Sequence, residues 1–199
     1  MKSKMWLTTV GAIAMLATVW AAAVVFARPY TFHGSLIEPP APAPDFALSD
    51  QNGNPFRLSD QNGSIVLMFF GYTTCPDVCP ATLAQLKQVR ADLGRDADAV
   101  RVVLVTVDPG RDTAEQLRNY LSGFDPAFIG LTGSFEQLDI VYRSYGVYQA
   151  IPQLRPGYTV EHTDRIYVID AKGNLRLTYT TDTASGEIAG DVRELLKGN

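Results

Sequence analysis

Ile65-Val66-Leu67-Met68-Phe69-Phe70-Gly71-Tyr72-Thr73-Thr74-Cys75-Pro76-Asp77-Val78-Cys79-Pro80 joins an apolar run to the only 2 cysteines of a 199-residue chain. A run without polar alternation reads as a strand buried on both faces, as in a parallel sheet. The cysteines follow it directly, and Pro80 suits the first turn of a helix. Residues 82–93 then carry Leu83, Leu86, Val89 and Leu93 at helical spacing. With both thiols placed at one point, three uses are open: a local disulfide, a redox pair, or two ligands to a thiophilic metal.

Outward from this stretch, residues 100–107 form a second continuous apolar run, so it and residues 65–70 are expected as the central strands. Asp112-Thr113-Ala114-Glu115 and Ser134-Phe135-Glu136-Gln137 each place a capping residue three before an acid or amide. They predict helices reaching about Phe124 and Tyr145, with a short strand over residues 128–131 between them. Residues 165–170 and 175–180 read as a hairpin, and residues 187–197 as a closing helix. Leu48-Ser49-Asp50-Gln51-Asn52-Gly53 recurs as Leu58-Ser59-Asp60-Gln61-Asn62-Gly63, a repeat too short for a solenoid. Both copies are expected as turns, Asn52-Gly53 supplying positive φ angles to a hairpin between residues 46–48 and 55–57. The succession predicts an α/β, thioredoxin-like fold: a central mixed sheet flanked by helices, with an N-terminal hairpin extension.

The N-terminus sets the compartment. Lys2 and Lys4 precede residues 5–27, which hold no charge, and Arg28-Pro29 closes the run. As a helix at ~1.5 Å per residue it is about 35 Å long, enough to cross a hydrocarbon core. Residues 1–28 are therefore expected as a membrane anchor, in preference to a cleaved signal peptide, whose apolar region is shorter. The lysines keep that end cytoplasmic, giving a single-pass protein of a bacterial inner membrane with its C-terminal domain in the periplasm. Residues 29–44, with five prolines, read as a semi-rigid linker in which His33 is a solvated residue. Residues 45–199 are left as one domain. Setting aside Lys2 and Lys4, 15 of the 17 basic residues remain against 21 acids, a formal charge of −6, which argues against nucleic acid as a partner.

A helix N-terminus carries roughly half a positive charge and favours thiolate over thiol, whereas Asp77, between the cysteines, opposes that effect. Asp108-Pro109 follows the second central strand and reads as a turn. Met68 falls in a core strand and Met1, Met5 and Met15 fall in or before the anchor, so no methionine-rich metal motif exists.

Phe69 to Pro80, Thr106-Val107-Asp108-Pro109-Gly110-Arg111-Asp112-Thr113, Gly130-Leu131-Thr132-Gly133 and Val160-Glu161-His162-Thr163 resemble, in order and spacing, the successive signatures of the Sco/SenC family. The resemblance runs from about Phe46 to Leu196. It implies a membrane-tethered, thioredoxin-fold copper metallochaperone that serves the dinuclear copper site of cytochrome c oxidase subunit II. It also implies Cys75, Cys79 and His162 as the copper ligands, for Cu(I) and/or Cu(II). The residue types agree. Two thiolates and an imidazole suit Cu(I), whereas structural zinc normally takes four protein ligands and only three obvious ones exist. Glu161 beside His162 reads as a solvated acid rather than a group orienting the ring. Expected partners are cytochrome c oxidase subunit II, a periplasmic copper donor and a thiol reductant of thioredoxin type, since a disulfide cannot hold copper as two thiolates.

Rival readings remain. A periplasmic thiol–disulfide oxidoreductase or redox sensor would use Cys75 as nucleophile and Cys79 as the resolving thiol. Against it, redox thioredoxins place a proline where this chain has Glu161-His162-Thr163. A peroxiredoxin would need a threonine three and a proline seven residues before its nucleophile, and those positions hold Tyr72 and Met68. A purely structural disulfide would close only a small loop. Residues 149–158 contain Arg155 and no acid, unlike the more acidic loop of some relatives.

Overall fold

The computed structural model describes residues 11, 13–20, 30–150 and 157–198. The chain forms two units, Met1–Thr31 and Phe32–Asn199. In the first, the described residues 11 and 13–20 are helical. The span expected over residues 5–27 lies mostly outside the described residues, and no helix among those described is long and apolar enough to cross a membrane. Arg155 also lies outside them.

The second unit is built on a mixed sheet. In chain order its strands are β1 (Ser35–Pro42), β2 (Ala47–Asp50), β3 (Pro55–Arg57), β4 (Ile65–Gly71), β5 (Val100–Thr106), β6 (Ile129–Thr132), β9 (Arg165–Ile169) and β10 (Asn174–Thr180), while β7 (Gln149–Ala150) and β8 (Glu161–His162) stand apart from it. The strands of the sheet lie side by side as β1-β10-β9-β4-β5-β6-β2-β3. The two apolar runs are the middle strands, parallel to each other, and β6 continues the parallel set. The other pairings are antiparallel. Every residue of β4 is buried, which is why that stretch carries no alternation. The helices are α1 (Val78–Leu93), α2 (Ala114–Ser122), α3 (Phe135–Ser144) and α4 (Ser185–Lys197). Leu83, Leu86 and Val89 of α1 are wholly buried, each stabilising the fold by roughly 1.5–3 kcal/mol. This is a thioredoxin-like α/β architecture, with β2 and β3 forming the expected hairpin extension.

Local chemistry departs from expectation at several places. The helix α1 begins before Pro80, which sits third in it, where a missing N–H costs nothing because the first four amides have no helical partner. The cap of α2 is Thr113, whose hydroxyl accepts from the Gln116 amide, and not Asp112, which turns inward. Ser134 and Gln137 do form the predicted capping box on α3. In the first repeat only Gly53 has positive φ, at 81°, while the Asp50 carboxylate accepts from the amides of Asn52 and Asn54 at 2.8 Å. The second copy tightens into a 3-10 turn, Leu58–Gln61.

The larger correction concerns residues 29–44, expected as a spacer. Residues 35–42 of it are β1, which pairs with β10 and breaks register between Leu36 and Ala41, where Pro39 and Pro40 have no N–H to give. His33 is likewise no plain linker residue. The wholly buried Asp191 carboxylate accepts from the backbone amides of His33 (2.9 Å) and Gly34 (3.1 Å) and from the Tyr179 hydroxyl (2.9 Å). His33 Nδ1 also lies 2.9 Å from it. Gly34 is required there, because a Cβ would stand 2.5 Å from the Tyr179 ring.

This clamp has a pH signature. The hydrogen bond to Asp191 raises the His33 pKa above its ordinary 6.5, outweighing the opposing effect of burial, and the charges of Asp191 and Glu187 add to the rise. A raised native pKa stabilises the fold fully below 6.5, and that contribution is lost as pH rises through the native value. The stability margin of the native protein over His33→Ala should therefore widen as pH falls from about 8 to about 6. Denaturant midpoints across that range check it, and a constant margin contradicts it.

Candidate metal centre

The site is assembled at the carboxyl ends of β4 and β5, where α/β sheets place their ligands. Gly71 ends β4 and brings the chain in close: a Cβ there would stand 3.0 Å from Cys79 Sγ and 2.7 Å from the Phe69 ring. Cys75 then lies in the loop, retaining 9 % exposure, and Cys79 lies in the first turn of α1, wholly buried. Both are free thiols. The N–H of Cys79 points at Cys75 Sγ, 3.4 Å away, so one of the helix's unsatisfied amides is aimed at a candidate ligand.

His162 comes from an element invisible in the sequence. β7 (Gln149–Ala150) and β8 (Glu161–His162) pair as a separate two-stranded ribbon just before β9. The ribbon carries the imidazole to the thiols, with Nε2 3.6 Å from Cys79 Sγ. Nδ1 sits 2.9 Å from the Thr163 carbonyl, a bond that only a protonated Nδ1 can make, so Nε2 keeps its lone pair for a metal. Tyr72 and Phe69 meet the ring edge-on, at 5.7 and 6.2 Å between centroids. Glu161, exposed, is the solvated acid expected, and the carbonyl of Thr163 takes the orienting part.

The donor atoms of Cys75, Cys79 and His162 all lie within 4.8 Å of one another. Donors about 2.0–2.3 Å from a shared ion stand about 3.3–4.0 Å apart, so closing around one requires movement of about an ångström. Burial pushes the Cys79 thiol well above its ordinary range, helped by the hydrogen bond to Cys75 and by the charge of Asp112. The carboxylate whose charge adds to this rise is Asp112, buried and 35 positions beyond the exposed Asp77 along the chain. A cleft of about 380 Å³ opens over Cys75, Val78 and His162.

Asp112 was legible only as a helix cap. Wholly buried, it accepts from the Thr73 amide and, at 2.6 Å each, from the hydroxyls of Thr73 and Thr106, tying the cysteine loop to the end of β5. Burial raises its pKa, and the hydrogen bonds from Thr106 and Thr73 oppose that rise.

The description SCO1/SenC belongs to a family model that matches residues 35–197. An SCO2-like protein of Rickettsia felis is 37 % identical over 158 residues, covering 78 % of this chain and 75 % of that one. Bradyrhizobium japonicum ScoI, solved with copper bound, is 38 % identical, with a TM-score of 0.72 over 78 % of this chain and 99 % of that chain. Apo Sco1 from Thermus thermophilus is 40 % identical, with a TM-score of 0.76 over 83 % and 98 %. Because the matched span runs from β1 to the end of α4 and takes in all three donors, this chain belongs to the SCO1/SenC family.

Proposed function

We propose that the protein is a copper metallochaperone in which Cys75, Cys79 and His162 hold one copper ion for delivery to the dinuclear site of cytochrome c oxidase subunit II. The observation carrying this reading is the convergence of two sulfurs and a bare imidazole Nε2 from separate elements. That donor set is soft, and three-coordinate Cu(I) needs no fourth protein ligand. Because Cys79 holds its proton tightly, copper uptake displaces that proton, and affinity rises with pH. Delivery requires the ion to leave again, and the cleft over Cys75 and His162 gives an acceptor access to the site.

The apolar run of residues 5–27 supports tethering to a bacterial inner membrane with the folded domain in the periplasm. In that oxidising compartment a thioredoxin-type thiol reductant keeps the pair reduced: its thiolate attacks the disulfide, and a second thiol resolves the mixed disulfide, leaving Cys75 and Cys79 as thiols. A periplasmic donor supplies the copper.

Titration of the reduced protein with Cu(I) against a competing chelator tests the central claim. One equivalent should bind, and alkylation of both thiols should abolish uptake. Uptake undiminished after alkylation defeats the proposal.

A further inference from the structure

His162 does not stand on the main sheet. Its strand β8 pairs, among the described residues, with β7 alone, so its place over the thiols depends on what holds this ribbon down. The holding contacts gather on residues 107–111, directly after β5. Asp108, 1 % exposed, accepts from the Tyr158 hydroxyl at 2.8 Å and pairs with the Arg111 guanidinium. Arg111 Nη1 donates to the Tyr158 carbonyl at 2.9 Å, and the guanidinium lies 3.7 Å from the Tyr158 ring centroid. The same guanidinium lies 5.6 Å from the Tyr72 ring. Gln149, on β7, donates to the Val107 carbonyl at 2.9 Å, and the Val160 amide donates to the Tyr72 hydroxyl at 3.2 Å.

A plain turn at Asp108-Pro109 has no use for a buried carboxylate joined to a tyrosine 50 positions away. A buried anion is costly unless paired, and here the pairing is spent on the chain segment that leads to His162. We infer that Asp108 and Arg111 are positioning residues which, through Tyr158, hold the His162 imidazole over Cys75 and Cys79 before any metal arrives. Neither touches the donor set. Their effect reaches it through the backbone of residues 158–162, in the way groups beyond the ligands fix ligand orientation.

The inference deepens the metal-binding reading and rests on it, so the test has two arms. Tyr158→Phe removes one hydroxyl and keeps the ring under Arg111, and Asp108→Asn serves as the second variant. In metal-free protein, amide hydrogen exchange at Glu161 to Thr163 should quicken in both, while exchange in β4 and β5 stays as in the native protein. In Cu(I) competition, each variant should lower affinity about 10-fold in the native background and leave it unchanged in a His162→Ala background. Losses of equal size in both backgrounds, no loss in either, or unaltered exchange in the ribbon overturns the inference. If the native protein takes up no copper, the metal reading falls by itself, and exchange alone decides whether Asp108 and Arg111 hold the ribbon.

Discussion

Cys79→Ser should weaken Cu(I) binding by at least about 100-fold, the upper end of what loss of an outer-shell group costs and therefore a lower bound for loss of a ligand. The sulfur is wholly buried beside His162 Nε2 and Gly71, so nothing in reach replaces it as a soft donor. Serine offers a hard oxygen that keeps its proton at neutral pH and cannot match a thiolate for Cu(I). The fold should survive, because the change removes little volume and α1 is secured by Leu83, Leu86 and Val89. Competition with a chromophoric Cu(I) chelator measures the loss, and thermal unfolding of the metal-free variant confirms that it is native. An affinity within a few-fold of the native protein would falsify the three-donor site.

Asp112→Ala should destabilise the metal-free protein by about 3 kcal/mol, since each buried donor left without a partner costs about 1–3 kcal/mol. The variant strands the Thr73 amide and the hydroxyls of Thr73 and Thr106 at one buried point. At about 2–4 °C per kcal/mol, the melting temperature should fall by roughly 10 °C. Asp112→Asn should cost less, because it keeps one acceptor and removes a charge that burial already disfavours. Denaturant unfolding of both variants ranks them. A loss in Asp112→Ala below about half a kcal/mol, the level of an ordinary surface change, would show that the carboxylate does not brace the loop.

What could be read in the chain was whatever depends on neighbours. Ile65 to Phe70 declared a doubly buried strand because burial on both faces leaves no room for polar alternation, and Ser134 with Gln137 declared a helix start because capping is local. The cysteine pair was visible for the same reason. Asp112 was misassigned because Asp112-Thr113-Ala114-Glu115 and Thr113-Ala114-Glu115-Gln116 make equally good caps. The choice falls to Thr73 and Thr106, which draw Asp112 inward. Contacts across long separations were silent: Asp191 with His33, 158 positions apart, and Tyr158 with Asp108. The prolines around Ser35–Pro42 masked a strand, because β10 supplies its partner from the far end of the chain. A ribbon of two-residue strands, β7 and β8, is below the length at which periodicity carries any signal.

The edge strand β1 bears on where this polypeptide can be shortened. A truncation beginning at Asp45, the start of the domain as composition alone suggests it, would delete β1 and strip His33 and Gly34 from Asp191. The outer side of β10 would then offer unsatisfied amides and carbonyls to any neighbouring chain, an invitation to edge-to-edge aggregation. A fragment that keeps the fold intact should instead start no later than Phe32, where the folded unit itself begins.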